Sequence, residues 1–458
     1  MFGTSGIRGP VGEEVTAALA VSLGRAVGSD AGVSRAVVGR DPRDSGDPLA
    51  DAVAAGLREV GVDVVRVGVA ATPTIARAVG ARDADVGVAV TASHNPPADN
   101  GFKLWNPSGQ AYREAQREAV ESRLVGDGPV DLVDAARTGT QSRWEGATDA
   151  HRAALRAAVT EREGSGPLDA DSNAAPHVVV DVGNGAGRVT ADVLYDLGCR
   201  VETLNGQADG RFPGRPSEPT AETCGSLAAL VEAVDADLGI AHDGDADRTM
   251  AVDDRGRFVA GDDLLAVFAR NAVETAPADR RTVAVPVDTS RAVRDHLAPA
   301  GGEVVRTRVG DVHVAEAATR EDVVFGGEPS GAWIWPASTL CPDGPLAAVR
   351  LAALVAERPL AERVDAVPSY PLVRESVDVD QESKASIMAR VGKRAAAVYE
   401  DRSTLDGVRV DDDRGWFLVR ASGTQPLIRL TAEGETESDA RELLSDAREL
   451  LAAARADD

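Results

Sequence analysis

Three times along its length the chain restarts one local pattern: a short β-type run, a loop rich in Gly, Ser, Asp and Pro, then an alanine-rich stretch of helical period. The first unit runs through RAVVGRD (35–41), a helix-period segment from Pro48 to Val60, VDVVRVGVA (62–70) and VGVAVTASHNP (86–96). The second opens on HVVVDVGNGAG (177–187) and continues to DADLGIAHDGDADR (235–248). The third takes TVAVPVDTS (282–290), VVRTRVGDVHV (304–314) and VVFGGEPSG (323–331). Strands alternating with helices build sheets covered by helices, so the pattern predicts three α/β units in series, a diverged internal repeat.

The remainder reads as α+β. It holds VRESVDV (373–379), a helix around 382–399, GVRVDDDRGWFLVRAS (407–422) turning at Asp413 to Gly415, LIRLTAEGE (427–435) and an amphipathic helix from Ser438 to Ala456. Turn-forming residues and prolines put linkers near 145–175, 253–261 and 359–370. The expected fold class is therefore α/β, with four domains at 1–148, 149–254, 255–366 and 367–458: three of a shared α/β mixed-sheet topology and a C-terminal α+β domain.

Composition narrows the partners. A net charge of −25 excludes a nucleic-acid binding surface spread over the chain, and 43% hydrophobic residues suffice for several cores. No apolar run reaches the roughly 18 residues of a membrane span, and the N-terminus lacks a basic stretch feeding an apolar one, so a cytoplasmic protein is expected. Three cysteines, Cys199, Cys224 and Cys341, lack paired spacing and read as small hydrophobes rather than disulfide or zinc ligands. Only Lys103, Lys384 and Lys393 are lysine, the other basic residues being arginine. Few lysines and many carboxylates resemble proteins of salt-loving cytoplasms, although GC-rich codon usage gives the same bias. An anionic substrate would need a local positive site built against this field.

Four loops could supply one. TASHNP (91–96) ends a buried-type strand, where open α/β sheets present ligand-binding loops, and offers Ser93 as a nucleophile. An ordinary turn is the other reading of that loop. Beyond it stands Lys103, which can give up and regain a proton as arginine scarcely can, making it a general acid/base candidate against a solvated surface cation. In HDGDADR (242–248), Asp243, Asp245 and Asp247 alternate, so extended chain would point three carboxylates to one side for a hard cation such as Mg²⁺. Such triplets arise by chance roughly twice in so acidic a chain, but this one follows an apolar strand, includes Gly244 and ends on Arg248. GGEPSG (326–331) presents Glu328 and Ser330 to sugar hydroxyls or is merely a glycine turn. RASGTQP (420–426) offers Arg420, Ser422, Gly423 and Thr424, with Arg429 following, a set suited to phosphate.

FGTSGIRG, TASHNP, DGDADR, GGEPSG and RASGTQP, in this order, resemble the motifs of the α-D-phosphohexomutase superfamily over Met1 to about Ala456. Within it, GTSGIRG and TRVGDVHVAEA (307–317) are most similar to the archaeal, halophile-type phosphoglucosamine mutase subgroup. Ala332 and Gln425 depart from residues common elsewhere in the family, His and Glu respectively. The resemblance implies four domains around a central cleft, the fourth mobile. It further implies a phosphorylated Ser93, and one Mg²⁺ held by Asp243, Asp245, Asp247 and that phosphoserine. A bisphosphorylated sugar would be both intermediate and activator, in an isomerase interconverting hexosamine or hexose 6- and 1-phosphates, glucosamine 6-phosphate foremost. Arg8 and Lys103 would manage the reacting hydroxyl, with Arg248 near the phosphoserine. Glu328 and Ser330 would hold the sugar, and Arg420, Ser422, Gly423, Thr424 and Arg429 the distal phosphate.

His94 would bond the phosphoserine region or fix its loop, His242 would be structural, and His313 would line the cleft. A phosphosugar partner, no nucleic acid, no membrane, and a monomer or homodimer complete the expectation. Three rivals stay open: a phosphomannomutase/phosphoglucomutase, a metal-dependent sugar phosphatase, and a non-catalytic phosphosugar-binding protein.

Overall fold

The strand order turns the threefold repeat into architecture. The computed structural model describes residues 2–3, 6–126, 128–160, 168, 175–422 and 426–456. A first sheet joins β1 (Ile7–Pro10), β2 (Arg35–Arg40), β3 (Asp63–Val69), β4 (Val86–Val90), β5 (Asp99–Trp105) and β6 (Gln141–Arg143) in the order β1-β5-β4-β2-β3-β6. A second joins β7 (His177–Asp181), β8 (Arg200–Leu204), β9 (Leu238–His242) and β10 (Thr249–Val252) as β10-β9-β7-β8. A third joins β11 (Thr282–Pro286), β12 (Glu303–Thr307), β13 (Val323–Glu328) and β14 (Ala332–Ile334) as β14-β13-β11-β12.

Each sheet contains the same four-strand core. Its first strand pairs parallel with its second and third, and its fourth pairs antiparallel with the third. The parallel strands β4, β7, β9 and β11 are buried throughout, as strands covered on both faces must be. β1 and β6 extend the first sheet only.

The fourth sheet is different: β15 (Leu372–Asp378), β16 (Arg402–Ser403), β17 (Val408–Asp412), β18 (Gly415–Ala421) and β19 (Leu427–Gly434) run entirely antiparallel in the order β15-β19-β18-β17-β16. Helices Lys384–Val398 and Glu437–Arg455 pack on it around Val391, Phe417, Ile428 and Leu443. The chain is thus three mixed α/β sheets followed by an antiparallel α+β unit.

The second and third sheets share one core, centred on Phe268, Phe325, Trp333 and Trp335, with Phe268 edge-on to Trp335 at 5.3 Å. Each such side chain, fully buried, contributes about 1.5–3 kcal/mol relative to exposure. Two expected linkers contain helices. Ala147–Thr160 lies inside 145–175, because Leu155 and Val159 recur at helical spacing and enter this shared core. Leu360–Asp365 lies inside 359–370, started by Pro359 and anchored by buried Leu360. Among the described residues no helix is long and apolar enough to cross a membrane.

Candidate active site

Topology brings the motifs together. In each of the first three units the loop between the third and fourth core strands carries one of them: TASHNP between β4 and β5, DGDADR between β9 and β10, and Pro329 to Gly331 between β13 and β14.

Ser93 sits on its loop fully buried, with φ +52°. A non-glycine residue in this left-handed region costs about 1–2 kcal/mol and persists where surrounding structure imposes it. Arg43 imposes it. Its fully buried guanidinium donates to the carbonyls of Ser93 (2.9 Å), Asn95 (2.7 Å), Asp99 (3.0 Å) and Pro96. Asp41 balances that charge through a 3.0 Å ion pair and accepts 2.7 Å from Thr91, whose hydroxyl oxygen accepts from the Ser93 amide. The clamp escaped sequence reading, although the carboxylate and guanidinium of GRDPRD, two residues apart at the end of β2, are its trace.

The aspartate loop converges by turning rather than by extension. Its backbone leaves the strand after His242 and reverses through Ala246 at φ +57°, so the expected extended alternation is not how the carboxylates meet. Asp243, Asp245 and Asp247 are buried and bring ligand oxygens within 4.8 Å of one another. Gly244 is required here, since a Cβ would stand 2.7 Å from the Ser93 carbonyl oxygen. The Ser93 hydroxyl donates to Asp243 Oδ2 at 2.6 Å, which adds a fourth oxygen to the cluster. Asp245 Oδ2 accepts from Thr72 at 2.6 Å and from Lys103 at 2.8 Å, while its Oδ1 is buried with no partner among the described residues. Lys103 also pairs with Asp247.

Burial and its two carboxylate neighbours push Asp243 well above the ordinary carboxylate range, and Asp247 also lies above it. Burial opposes ionisation of Asp245 too, but Lys103 and Thr72 overcome it and hold that carboxyl below the usual range. Burial disfavours the Lys103 ammonium, yet Asp245 and Asp247 outweigh it and keep the lysine protonated. An all-oxygen donor set, buried, with one carboxylate oxygen unsatisfied, fits a hard divalent cation.

A second buried arginine serves the aspartate loop as Arg43 serves the serine loop. Arg215 pairs with Asp181 and donates to the His242 carbonyl, both at 2.5 Å. The His242 ring lies between Thr190 and the Arg248 carbonyl, and burial lowers it to about 4, so it is a neutral structural group. From the third unit, Asp343 caps helix Gly344–Glu357 at the Leu346 amide (3.0 Å) and pairs with Arg77 and His151. Gly344 then meets the loop directly: Thr249 donates to its carbonyl at 2.7 Å, and a Cβ there would clash with the Ala246 and Arg248 carbonyls at 2.7 Å.

Beyond this centre opens a cleft of about 470 Å³, lined by residues of all four units. Arg8, Ser93, Lys103, Asp247 and Arg248 line it from the first two units. Arg8 Nε and His94 Nδ1 are buried without partners among the described residues. Burial, then Arg248, Arg8 and Lys103, lower His94 to about 2, so a neutral imidazole faces a cationic cluster. Such unsatisfied donors and clustered cations suit a phosphate. Glu328 and Ser330 line the cleft from the third unit. Glu328 accepts from the Gly310 amide at 2.7 Å, tying GGEPSG to the VGDVHV segment, and burial followed by the Asp311 charge raises it to about 7. His313 and Ala332 also line the cleft, and Ala332 bridges to Arg248.

From the fourth unit come Arg420, Arg429 and Ser422, joined by Arg374 from β15, which sequence reading did not single out. Arg420 and Arg429 are directly opposite on β18 and β19. Like charges directly opposite are destabilising, and Asp406, 3.6 Å from Arg420, offsets part of that. Gly423, Thr424 and Gln425 lie outside the described residues.

Comparison with known proteins gives the same order of units. Models of the phosphoglucomutase/phosphomannomutase family match the chain domain by domain: α/β/α domain I over residues 1–127, domain II over 160–256, domain III over 260–370 and the C-terminal domain over 376–450. A protein of Methanopyrus kandleri described as a probable phosphoglucosamine mutase is 45% identical, covering 96% of this chain and 95% of that one. One of Methanosarcina acetivorans with the same description is 43% identical, covering 96% of each. Among solved structures, a phosphoglucomutase/phosphomannomutase family protein of Burkholderia thailandensis superposes with a TM-score of 0.85 at 27% identity, covering 99% of this chain and 98% of that one.

Proposed function

The chain belongs to the α-D-phosphohexomutase superfamily, and from that premise we propose that it interconverts glucosamine 6-phosphate and glucosamine 1-phosphate, with Ser93 carrying the phosphoryl group. It is a phosphoglucosamine mutase-like isomerase. The observation that carries the reading is the junction of Ser93 with Asp243 at 2.6 Å, in a cleft that is also lined by the opposed pair Arg420 and Arg429. The first group is suited to transfer a phosphoryl group and the second to grip the phosphate that is not reacting.

In the forward half-reaction the P–O bond of phosphorylated Ser93 breaks as a P–O bond to the sugar hydroxyl forms. Lys103, held protonated, gives its proton to the leaving serine oxygen, and the proton of the sugar hydroxyl restores the ammonium. Arg8 and Arg248 offset the charge spread over the transferring group, and His94, neutral, completes the wall beside it. Mg²⁺ bound by Asp243, Asp245, Asp247 and the phosphoserine would neutralise phosphate charge and orient it. Glu328 and Ser330 hold the ring. The bisphosphorylated sugar turns over, its second phosphate returns to Ser93, and Arg420, Ser422, Arg429 and the loop through Gly423 and Thr424 hold whichever phosphate is distal. Charge-based contacts suit a site that must accept either end. A trace of sugar 1,6-bisphosphate would activate the enzyme by phosphorylating Ser93. The net charge of −25 supports a salt-rich cytoplasmic setting, with a monomer or homodimer as the working form.

The test is a ³¹P NMR assay in molar KCl with Mg²⁺, offering glucosamine, glucose and mannose 6-phosphates in parallel, each with its bisphosphate. Preferential conversion of glucosamine 6-phosphate supports the proposal. Faster glucose or mannose conversion moves the substrate to the phosphomannomutase/phosphoglucomutase class, and release of inorganic phosphate alone overturns the mutase reading.

A further inference from the structure

A second cavity, of about 380 Å³, shares no lining residue with the cleft. It lies where helix Gly261–Thr275, helix Arg291–Leu297 with its following turn Ala298–Ala300, and helix Leu360–Asp365 come together. Ala366 and Pro368, on the connection leading into β15, complete its wall. Val267, Arg270, Asn271 and Glu274 recur at helical spacing, so one face of the first helix supplies most of one side.

The lining is cationic. Its two carboxylates already have partners: Glu274 accepts from Arg270 at 2.6 Å, and Asp295 accepts from the Tyr370 hydroxyl and pairs with Arg294, both at 2.9 Å. Arg363 donates to the Leu354 carbonyl at 2.8 Å and lies 3.3 Å from Glu357, which is outside the lining. Among the described residues no carboxylate pairs with Arg358, whose charge acts on both Arg363 and His296. In a chain of net charge −25, three guanidiniums brought to one cavity with two carboxylates that already have partners run against the overall field, the same signature that marks the cleft.

The cavity also adjoins the connection between the third and fourth units. His296 hydrogen-bonds the Ala366 backbone, and the Asp295 that lines the cavity holds Tyr370. Arg291 lies over the Tyr370 ring at 4.5 Å and reaches Glu435, beyond the end of β19, at 2.8 Å.

We propose that this cavity binds a phosphate dianion, free or as the phosphate of a small metabolite, on Arg358, Arg363 and Arg270, and that occupancy stiffens the connection from Ala366 to Pro371. The volume admits a group of hexose-phosphate size. Guanidiniums suit a phosphate because their forked N–H groups match its oxygens.

The experiment is hydrogen–deuterium exchange of the full chain, following the segment 355–371 during titration with inorganic phosphate, with glucose 6-phosphate and with uridine diphosphate in separate arms. Protection of this segment is expected, and the arm with the lowest half-point identifies the form of the anion. Arg358→Glu, at an exposed position with no partner to lose, should raise the half-point at least about 10-fold, the effect of one charge-assisted bond. Arg270→Gln, a second variant, should shift it the same way, and melting curves of both check that they fold. Protection that persists unchanged in a folded Arg358→Glu would come from the cleft instead, and would overturn the proposal, as would no protection in the wild type at millimolar anion. Exchange is read without turnover, so failure of the mutase assignment leaves this test intact.

Discussion

The hydroxyl of Ser93 donates to Asp243 across 2.6 Å, so that loops from two different sheets meet at a single pair of oxygens. Replacing the serine separates chemistry from structure. Ser93→Ala should abolish turnover, and intact-mass measurement after incubation with a sugar bisphosphate should find no added phosphate. Ser93→Gly should be as inactive but at least as stable as the alanine variant, because glycine adopts φ +52° without the left-handed cost of about 1–2 kcal/mol. Melting curves compare the two. A Ser93→Ala enzyme with wild-type turnover would remove Ser93 from the reaction.

The Arg43 guanidinium predicts a stability effect larger than its distance from substrate suggests. Arg43→Ala leaves Asp41 buried without its cation and frees the carbonyls of Ser93, Asn95, Pro96 and Asp99. Breaking a buried pair in this way costs about 3–5 kcal/mol, readable by urea denaturation. Arg43→Lys should recover little, since one ammonium cannot present a planar fork to several carbonyls. A loss under about 1 kcal/mol in the alanine variant would mean the loop is held by other contacts.

How much of this could be read in the sequence depends on whether the interaction is local. β-type runs and the loops that end them are local, so the three restarts, the α+β terminus and the strand-end segments that carry Ser93, Asp243 and Glu328 were legible. That DGDADR turns through Ala246 instead of extending was not, because the reversal is imposed by Gly344 and Arg215, which lie elsewhere along the chain. Arg43 and Arg374 were hidden for a similar reason. Apart from the Asp41 and Arg43 spacing in GRDPRD, a single sequence does not mark one arginine among many as the one folded under a loop or turned into a cleft.

Lys103 bridges Asp245 and Asp247 from the neighbouring strand β5. If it moves a proton in the transfer step, Lys103→Arg should keep the charge and still lose about 10²–10⁴-fold in kcat, because a guanidinium scarcely gives up a proton. Lys103→Met should lose at least as much. Steady-state kinetics at saturating Mg²⁺ provides the measurement, and a Lys103→Arg enzyme within a few-fold of wild type would confine the lysine to charge compensation.

Arg420 and Arg429 face each other across β18 and β19. Removing Arg429 takes away a phosphate contact, so its effect should appear in substrate binding. Arg429→Ala is expected to raise KM by about 10-fold or more, the worth of one charge-assisted bond. A fall in melting temperature with KM unchanged would make the pair structural.

Glu328 supplies a pH prediction. Burial first, and the Asp311 charge next, raise its carboxyl from 4.5 to about 7, so the folded chain binds this proton more tightly than the unfolded one. The contribution to stability is fully present below pH about 4.5, is lost as the pH rises through about 7, and stays lost above that. At roughly 1.4 kcal/mol per pKa unit it amounts to no more than about 3.5 kcal/mol. Glu328→Gln carries no titrating group there, so its stability should fall less than that of the wild type between pH 5 and pH 8. Urea denaturation of both proteins across that window measures the difference. Parallel curves would mean that the carboxyl titrates alike in the folded and unfolded chains, and that the Gly310 amide at 2.7 Å stabilises the carboxylate enough to cancel its burial.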